Sequence, residues 1–231
     1  MSPPAIDVVI PVYNGERFLG EAIASVLGQT YAGEVRLTVV DDGSTDGSAS
    51  VAEGHAGVRV VRQANAGQPD ALNHGVRLGG APLVALLDAD DVWVPEKLAW
   101  QVAALADDVD MVFGHAEQVA QPGLPEAAAR LAAIPPAQRV MPAHLPSALL
   151  IRRPAIEAVS FRTEGAVGNV IDWYARAREA GLREVMLDRV VYRRRIHDAN
   201  TGLRERERAQ ADYLAVVKAA LDRRRAADTG G

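Results

Sequence analysis

The first half of the chain alternates short apolar runs with longer stretches in which apolar residues recur every three or four positions. Ile6–Pro11, Val35–Val40, Val58–Arg62 and Leu83–Leu87 are compact apolar runs bounded by turn residues, and each reads as a strand. Between them, Phe18, Leu19, Ala22, Ile23, Val26 and Leu27 keep helical spacing up to about Gln29. The loop from Asp41 to Gly47 is rich in N-cap residues and opens a short helix through Val51. Ala71, Leu72, Gly75 and Val76 give the next helix, and Pro95 stands where a first-turn proline belongs, ahead of Leu98, Val102 and Leu105. Four rounds of strand, loop and helix predict an α/β fold: a mostly parallel sheet flanked by helices, since parallel neighbours need helical crossovers.

The second half is less regular. Met111–Gly114 reads as a strand. Residues 116–146, rich in Ala, Pro and Gln, read as a long loop or a connector, with a short helix at Leu131–Ile134. Ala148–Ile151 and Val185–Tyr192 read as extended and Pro154–Val159 as a short helix. Val170–Ala180 reads as a helix with Ile171, Tyr174 and Ala175 on one side, closed by Gly181. Arg193-Arg194-Arg195-Ile196-His197 follows. A C-terminal helix over 203–225 alternates charge and carries Tyr213, Leu214, Val217 and Leu221 at helical spacing, before a disordered tail at 226–231. Docking on the domain is the expected use of that helix, with a homodimer contact or a membrane-surface role as alternatives.

With 231 residues, 48% hydrophobic and 24% charged, the chain can build a sizeable core. A net charge of -5 argues against a nucleic-acid binder. The absence of cysteine excludes disulfides, thiolate metal sites and cysteine nucleophiles, and suits a reducing compartment. Met1–Asp7 shows no signal-peptide pattern, and no apolar stretch reaches the roughly 18 residues of a membrane span. The expectation is a cytoplasmic protein with no transmembrane segment.

The candidate chemistry stands at strand ends: Tyr13-Asn14 after the first strand, Asp41-Asp42 after the second, and Asp88, Asp90 and Asp91 after the fourth. Ligands of open α/β sheets bind at the C-terminal edge of the strands. Carboxylates this close repel each other, which raises pKa values or recruits a cation. On an extended chain Asp88 and Asp90 face the same side and suit a hard divalent ion that keeps positions open for phosphate oxygens. The plainer reading is an acidic turn in which Asp91 or a neighbour caps the following helix. Tyr13 can stack on a base or be a half-buried aromatic, and Asp42 can accept a hydrogen bond from a base N–H. Arg193, Arg194, Arg195 and His197 can serve phosphate and metal, although an arginine run is often a solvated edge.

Ile-Pro-Val-Tyr-Asn-Gly (10–15), Val-Val-Asp-Asp-Gly-Ser-Thr-Asp (39–46), Asn-Ala-Gly (65–67) with Ala-Leu-Asn-His-Gly (71–75), and Leu-Asp-Ala-Asp-Asp-Val-Trp-Val-Pro (87–95) stand in the order and spacing of a known family. The chain resembles the family 2 glycosyltransferases with the GT-A fold. The resemblance is specific over 5–114 and weaker through Leu150–Arg153, Phe161 and Tyr192–His197, and leaves 116–146 and the C-terminal helix outside it. It implies a single GT-A, Rossmann-like domain over 1–231, with a nucleotide-sugar half at 5–114 and an acceptor-side half at 115–202. It implies a metal-dependent, inverting transferase that moves a sugar from a nucleotide-sugar donor, expected to be a UDP-sugar, to an acceptor hydroxyl. Pro11, Tyr13, Asn14, Asp42, Asn65, Gly67, Asp88 and Ala89 then contact the nucleotide. Asp90 and His197 hold Mn²⁺ or Mg²⁺, and Arg194 and Arg195 meet the diphosphate.

One departure matters. Asn169-Val170 occupies the place where the family's Glu-Asp base pair is expected. Asp172 on the same helix and Glu164 on the preceding loop are the nearest carboxylates, and Asp172 can equally be an acid that stabilises the first turn. A rival reading follows: a nucleotide-sugar-binding partner protein that has lost transfer. A nicotinamide-dependent dehydrogenase is excluded, because Pro11–Glu16 lacks the Gly-x-Gly-x-x-Gly pattern. The acceptor (glycan, lipid-linked, peptide or small molecule) has no readable code, and its choice is expected in 116–146 and 160–172.

Overall fold

In the computed structural model, which describes residues 2–163 and 169–198, four parallel strands form one side of the sheet. They are β1 (Ile6–Val12), β2 (Val35–Asp41), β3 (Val58–Arg62) and β4 (Leu83–Leu86), joined by the helices α1 (Glu16–Leu27), α2 (Ser48–Glu53) and α3 (Gln68–Leu78). Their spatial order is β3-β2-β1-β4, with Ile6 opposite both Val35 and Leu83. β1 and β4 are buried at every position, which is why they read as continuous apolar runs and not as alternation. α3 lies tight on this sheet because Gly75 has no side chain: a Cβ there would collide with Val9.

The remaining elements are β5 (Val92–Trp93), α4 (Lys97–Ala104), β6 (Met111–Ala120), α5 (Pro125–Ala132), β7 (Val140–Ala143), β8 (Leu150–Arg152), α6 (Arg153–Ala158), α7 (Asn169–Glu179) and β9 (Glu184–Ile196). The sheet continues β4-β8-β6-β9-β5, and β7 pairs with β6. β8 is antiparallel to both β4 and β6, so β6 runs in the direction of β4 again, and β9 is parallel to β6. The C-terminal end of β9 therefore reaches the same edge as the ends of β1, β2 and β4. That topology carries Arg194 and His197 to the acids that follow β4.

Several expectations are corrected. Residues 116–146 are not a structureless loop. β6 runs on to Ala120, α5 starts at Pro125 in its first turn, and β7 returns antiparallel with Val140 opposite Glu117. The helix lies at 125–132, not at 131–134. Pro95 sits ahead of the cap residue Glu96, and α4 buries Lys97, Leu98 and Gln101, with Val102 and Leu105 only partly covered. α7 turns Asp172, Trp173 and Ala177 inward and leaves Ile171 41% exposed. Trp173 decides this, since its ring stacks on Phe161 at 5.1 Å and offers the largest apolar surface on the helix. Gly181, at φ 82°, closes α7 as expected, and the Leu182 N–H donates to the Ala177 carbonyl. The helix expected over 203–225 and the tail at 226–231 lie outside the described residues.

Candidate functional site

The polar strand ends line a single cavity of about 670 Å³. One end is built by β1, β2 and the turn before α3. Asn14 adopts a left-handed φ of 51°, and its Oδ1 accepts from the Thr45 N–H at 2.8 Å, which ties the turn after β1 to the loop after β2. Tyr13 stands 54% exposed at the mouth. Asp42 is buried and organises the turn at 63–67: Oδ1 accepts from Gln63 Nε2 at 2.8 Å and the Ala66 N–H at 2.9 Å, and Oδ2 accepts from the Gly67 N–H at 2.8 Å. Gly67 has φ 90°, a conformation that a side chain would strain. Pro11, Asn65, Gly67 and Gln68 complete this end.

The other end is acidic. Residues 88–91 form a tight turn closed by Asp91 N–H to the Asp88 carbonyl at 3.1 Å, so Asp88 and Asp90 do not share a strand face. The turn instead brings one oxygen of each of Asp88, Asp90 and Asp91 to within 4.8 Å of the others. Asp88 Oδ1 accepts from Gln68 Nε2 at 2.7 Å, and Asp90 Oδ2 lies 2.9 Å from His197 Nε2. Asp91 accepts from Ser147 Oγ at 2.7 Å and from the Arg195 N–H at 3.3 Å; it is a strut of the turn and not a cap of α4. Burial, reinforced by the charge of Asp90, pushes Asp88 up to about 7, against the pull of Arg194, Ser147 and Gln68. Burial, Asp90 and Asp88 together push Asp91 well above its ordinary value, against the pull of Ser147 and the Arg195 N–H. The buried hydroxyl of Tyr192, whose ionisation is pushed up by burial and by these acids, finds no hydrogen-bond partner among the described residues. Converging carboxylate oxygens, with the His197 ring beside them, fit Mn²⁺ or Mg²⁺.

A buried polar scaffold holds the acidic turn. The segment after β7 makes a single 3₁₀ turn at Pro146–Ala148, and three successive carbonyls on it are fixed by side chains. Trp93 Nε1 donates to Ser147 O at 2.8 Å, Gln101 Nε2 to Ala148 O at 2.7 Å, and Lys97 Nζ to Leu149 O at 3.3 Å. Ser147 then reaches both acids, since its hydroxyl also accepts from the Asp88 N–H at 3.1 Å. Lys97 is fully buried, and burial pushes its amine well below the usual lysine value. Gln101 Oε1 at 2.7 Å and the Trp93 ring face at 4.0 Å offset part of that desolvation.

Strand alternation separates the three arginines. Arg194 lines the cavity, and Arg193 points outward to Glu117 at 3.2 Å. Arg195, expected at the diphosphate, is buried behind the acidic turn. Its guanidinium pairs with both oxygens of Glu21 at 2.9 and 3.2 Å, and also donates to Gln121 and to the Asp90 carbonyl. It braces the turn and is not turned toward the cavity. His197 is also buried, with its ring 4.3 Å from that of Phe18. Ala89, Asp90 and His197 all line the cavity. Asp172 does not: it pairs with Arg176 at 2.7 Å and Arg162 at 3.7 Å. Glu164 lies outside the described residues. Sequence reasoning missed Gln68, Phe18 and the strut Ser147, and it offered Asp91 as a metal-site acid or a cap but not as a strut. Gln68 directly follows the Asn-Ala-Gly turn, a signal that could have found it; Ser147 carries none.

A family model described as "Glycosyl transferase family 2" matches residues 7–146. The match takes in the stretch 116–146, which was expected to fall outside the resemblance. An uncharacterized glycosyltransferase of Nostoc sp. is 44% identical over 98 residues, which is 40% of this chain and 30% of that protein. Among solved structures, the mannosyltransferase PcManGT from Pyrobaculum calidifontis, in complex with GDP-Man and Mn²⁺, is 25% identical with a TM-score of 0.66, over 90% of this chain and 61% of that one. Glucosyl-3-phosphoglycerate synthase from Mycobacterium tuberculosis, in complex with Mn²⁺, UDP and phosphoglyceric acid, is 22% identical with a TM-score of 0.67, over 94% of this chain and 78% of that one. The fold is thus the GT-A arrangement, while the matched segment spans under a third of the length of the first curated relatives. No helix among the described residues is long and apolar enough to cross a membrane.

Proposed function

The chain belongs to glycosyl transferase family 2, and on that premise we propose that it moves a sugar from a nucleotide-sugar donor, a UDP-sugar, to an acceptor hydroxyl with inversion at the anomeric carbon. The observation that carries the reading is one cavity with Tyr13 and Asp42 at one end and Asp88, Asp90, Arg194 and His197 at the other. Tyr13, Asp42, Asn65 and Gly67 take the nucleoside, with Pro11, Asn14, Asp88 and Ala89 as its walls. Asp90, with Asp88 and His197, would hold Mn²⁺ or Mg²⁺, which supplies charge neutralisation for the departing diphosphate. Arg194 adds positive charge on the same side. The acceptor oxygen attacks the anomeric carbon in line, the bond to the diphosphate oxygen breaks, and a carboxylate of the 164–172 stretch, Glu164 or Asp172, takes the hydroxyl proton. With no cysteine in the chain, a reducing cytoplasmic setting is the proposed location.

The second reading, nucleotide-sugar binding without transfer, is favoured by one observation: the described candidate base is held by two arginines outside the cavity lining. One experiment separates the two. Calorimetric titration of UDP with and without Mn²⁺ is followed by an assay of UDP release from a panel of UDP-sugars. Metal-dependent binding with release, accelerated by an acceptor, supports the transferase. Binding without release under any acceptor supports the binding protein. The absence of nucleotide binding overturns both.

A further inference from the structure

A carboxylate offers about four in-plane acceptor positions, two on each oxygen. Asp42 has both positions of Oδ1 filled by Gln63 Nε2 and the Ala66 N–H, and one position of Oδ2 filled by the Gly67 N–H. Among the described residues nothing else bonds Oδ2, which leaves one acceptor position for a ligand in the cavity that Asp42 lines. Gln63 is locked in this task. Its Nε2 donates to Asp42 Oδ1 and, at 3.1 Å, to Asp70 Oδ1, while its Oε1 lies 2.6 Å from His74 Nδ1. A flipped amide would set Oε1 against two carboxylates, so the orientation is fixed and His74 carries its proton on Nδ1 to donate to Gln63.

Resting on the nucleotide-sugar reading above, we propose that this saturation makes Asp42 a reader of a single N–H, selecting uracil or thymine over guanine, with Gln63 and His74 as the residues that set the choice. Uracil and thymine present one N–H, at N3. Guanine presents N1–H and an N2–H side by side, a pair that needs both carboxylate oxygens. With Oδ1 filled, one guanine N–H enters the site unpaired, and an unpaired buried donor is strongly disfavoured.

The test is calorimetric titration of the full chain with UDP, dTDP and GDP in the presence of Mn²⁺, for the wild type, Gln63→Leu and His74→Phe. The wild type is expected to bind UDP or dTDP at least about 30-fold tighter than GDP, with the tighter of the two naming the pyrimidine. Gln63→Leu opens a position on Oδ1 and is expected to gain about tenfold for GDP while the pyrimidine nucleotides change less than about threefold. His74→Phe is expected to move the ratio the same way by less. A purely structural role for Gln63 would weaken all three nucleotides alike, which overturns the proposal, as does GDP binding as tightly as UDP in the wild type. If no nucleoside diphosphate binds, the transferase reading itself falls and takes this one with it.

Discussion

The turn after β4 and the start of α7 place carboxylates in different electrostatic settings. At the acidic turn after β4, Asp88, Asp90 and Asp91 converge within 4.8 Å, and burial and mutual repulsion raise Asp88 and Asp91. At the start of α7, Asp172 is buried but sits against Arg176 and Arg162. A buried acid with arginine partners has its charge balanced inside the protein and serves the fold. A cluster of acids whose oxygens converge on one point, with only part of the repulsion offset by Arg194 and hydrogen bonds, suits a cation from outside. The comparison sets the expectation that the cation binds on the β1–β4 side and that Asp172 on the α7 side serves the fold, and both halves can be tested.

The largest expected effect comes from removing the charge of Asp90. Asp90→Asn keeps the side chain's size and its reach to His197, yet should weaken Mn²⁺-dependent UDP binding by about 100-fold or more, read by titration with and without metal. Unchanged affinity would place the cation elsewhere and dissolve the contrast. Next comes Ser147→Ala, which touches no ligand but deprives Asp91 of its hydroxyl donor and the Asp88 N–H of its acceptor. Outer-shell partners of metal ligands are typically worth 10–100-fold in affinity, so about a tenfold loss of metal-dependent binding is expected, with metal-independent binding kept.

Ser147 also marks where the sequence stops being readable. Strand ends β1, β2 and β4 announce the site because buried parallel strands are continuous apolar runs, and a polar residue after such a run is conspicuous. The acids, Asn14, Asp42 and Gly67 were legible for that reason. Lys97 and Gln101 stand four apart on α4, but they reach Leu149 and Ala148, and Ser147 reaches Asp88, across 47 to 59 positions of chain, and no local pattern encodes such a meeting. Lys97 was worse than silent, because a lysine in the first turn of a helix reads as solvent-facing. The arginine run was half legible: strand alternation says that neighbours diverge, but only the sheet order says that Arg194 faces the cavity while Arg195 faces Glu21. α7 misled because Ile171 and Tyr174 keep helical spacing, while Trp173 supplies the larger surface and takes the inner side.

A pH series sharpens the comparison with a moderate effect. Asp88 ionises in the fold at about 7, above its unfolded value near 4. A raised pKa means that the folded state favours the protonated form. That stabilisation is complete below the unfolded value and is lost as pH rises through about 7. The metal-free protein should therefore melt several degrees lower at pH 8 than at pH 5.5, and saturating Mn²⁺ should recover the most at the high end, where protons no longer compete for the acids. Scanning fluorimetry across that range, with and without Mn²⁺, reads both slopes. Asp90→Asn should flatten them by removing the neighbour that reinforces the shift, whereas Asp172→Asn should leave them alone. A metal-free melting temperature that does not depend on pH would mean that the cluster is already neutralised.

The smallest expected effect on donor binding belongs to Asp172→Asn. The side chain is absent from the cavity lining, so UDP affinity in Mn²⁺ should stay within about twofold of the wild type. Stability should fall by about 1–3 kcal/mol, since Arg176, bonded at 2.7 Å and mostly covered, loses its partner's charge. Transfer then separates two roles. A base that swings free of its arginines would, when removed, lower turnover by about 10²–10⁴ with binding intact. An anchor would leave turnover near the wild-type level below the melting temperature. Two arginine partners and a place outside the cavity lining hold the carboxylate away from the donor site, so the anchor pattern is expected, and the search for the base passes to Glu164. Glu164→Gln should then lower UDP release from the donor in the presence of acceptor while leaving metal-dependent UDP affinity in place. Turnover unaffected by either substitution would remove both carboxylates from the reaction and favour the binding protein over the transferase if that turnover is no faster than spontaneous donor hydrolysis.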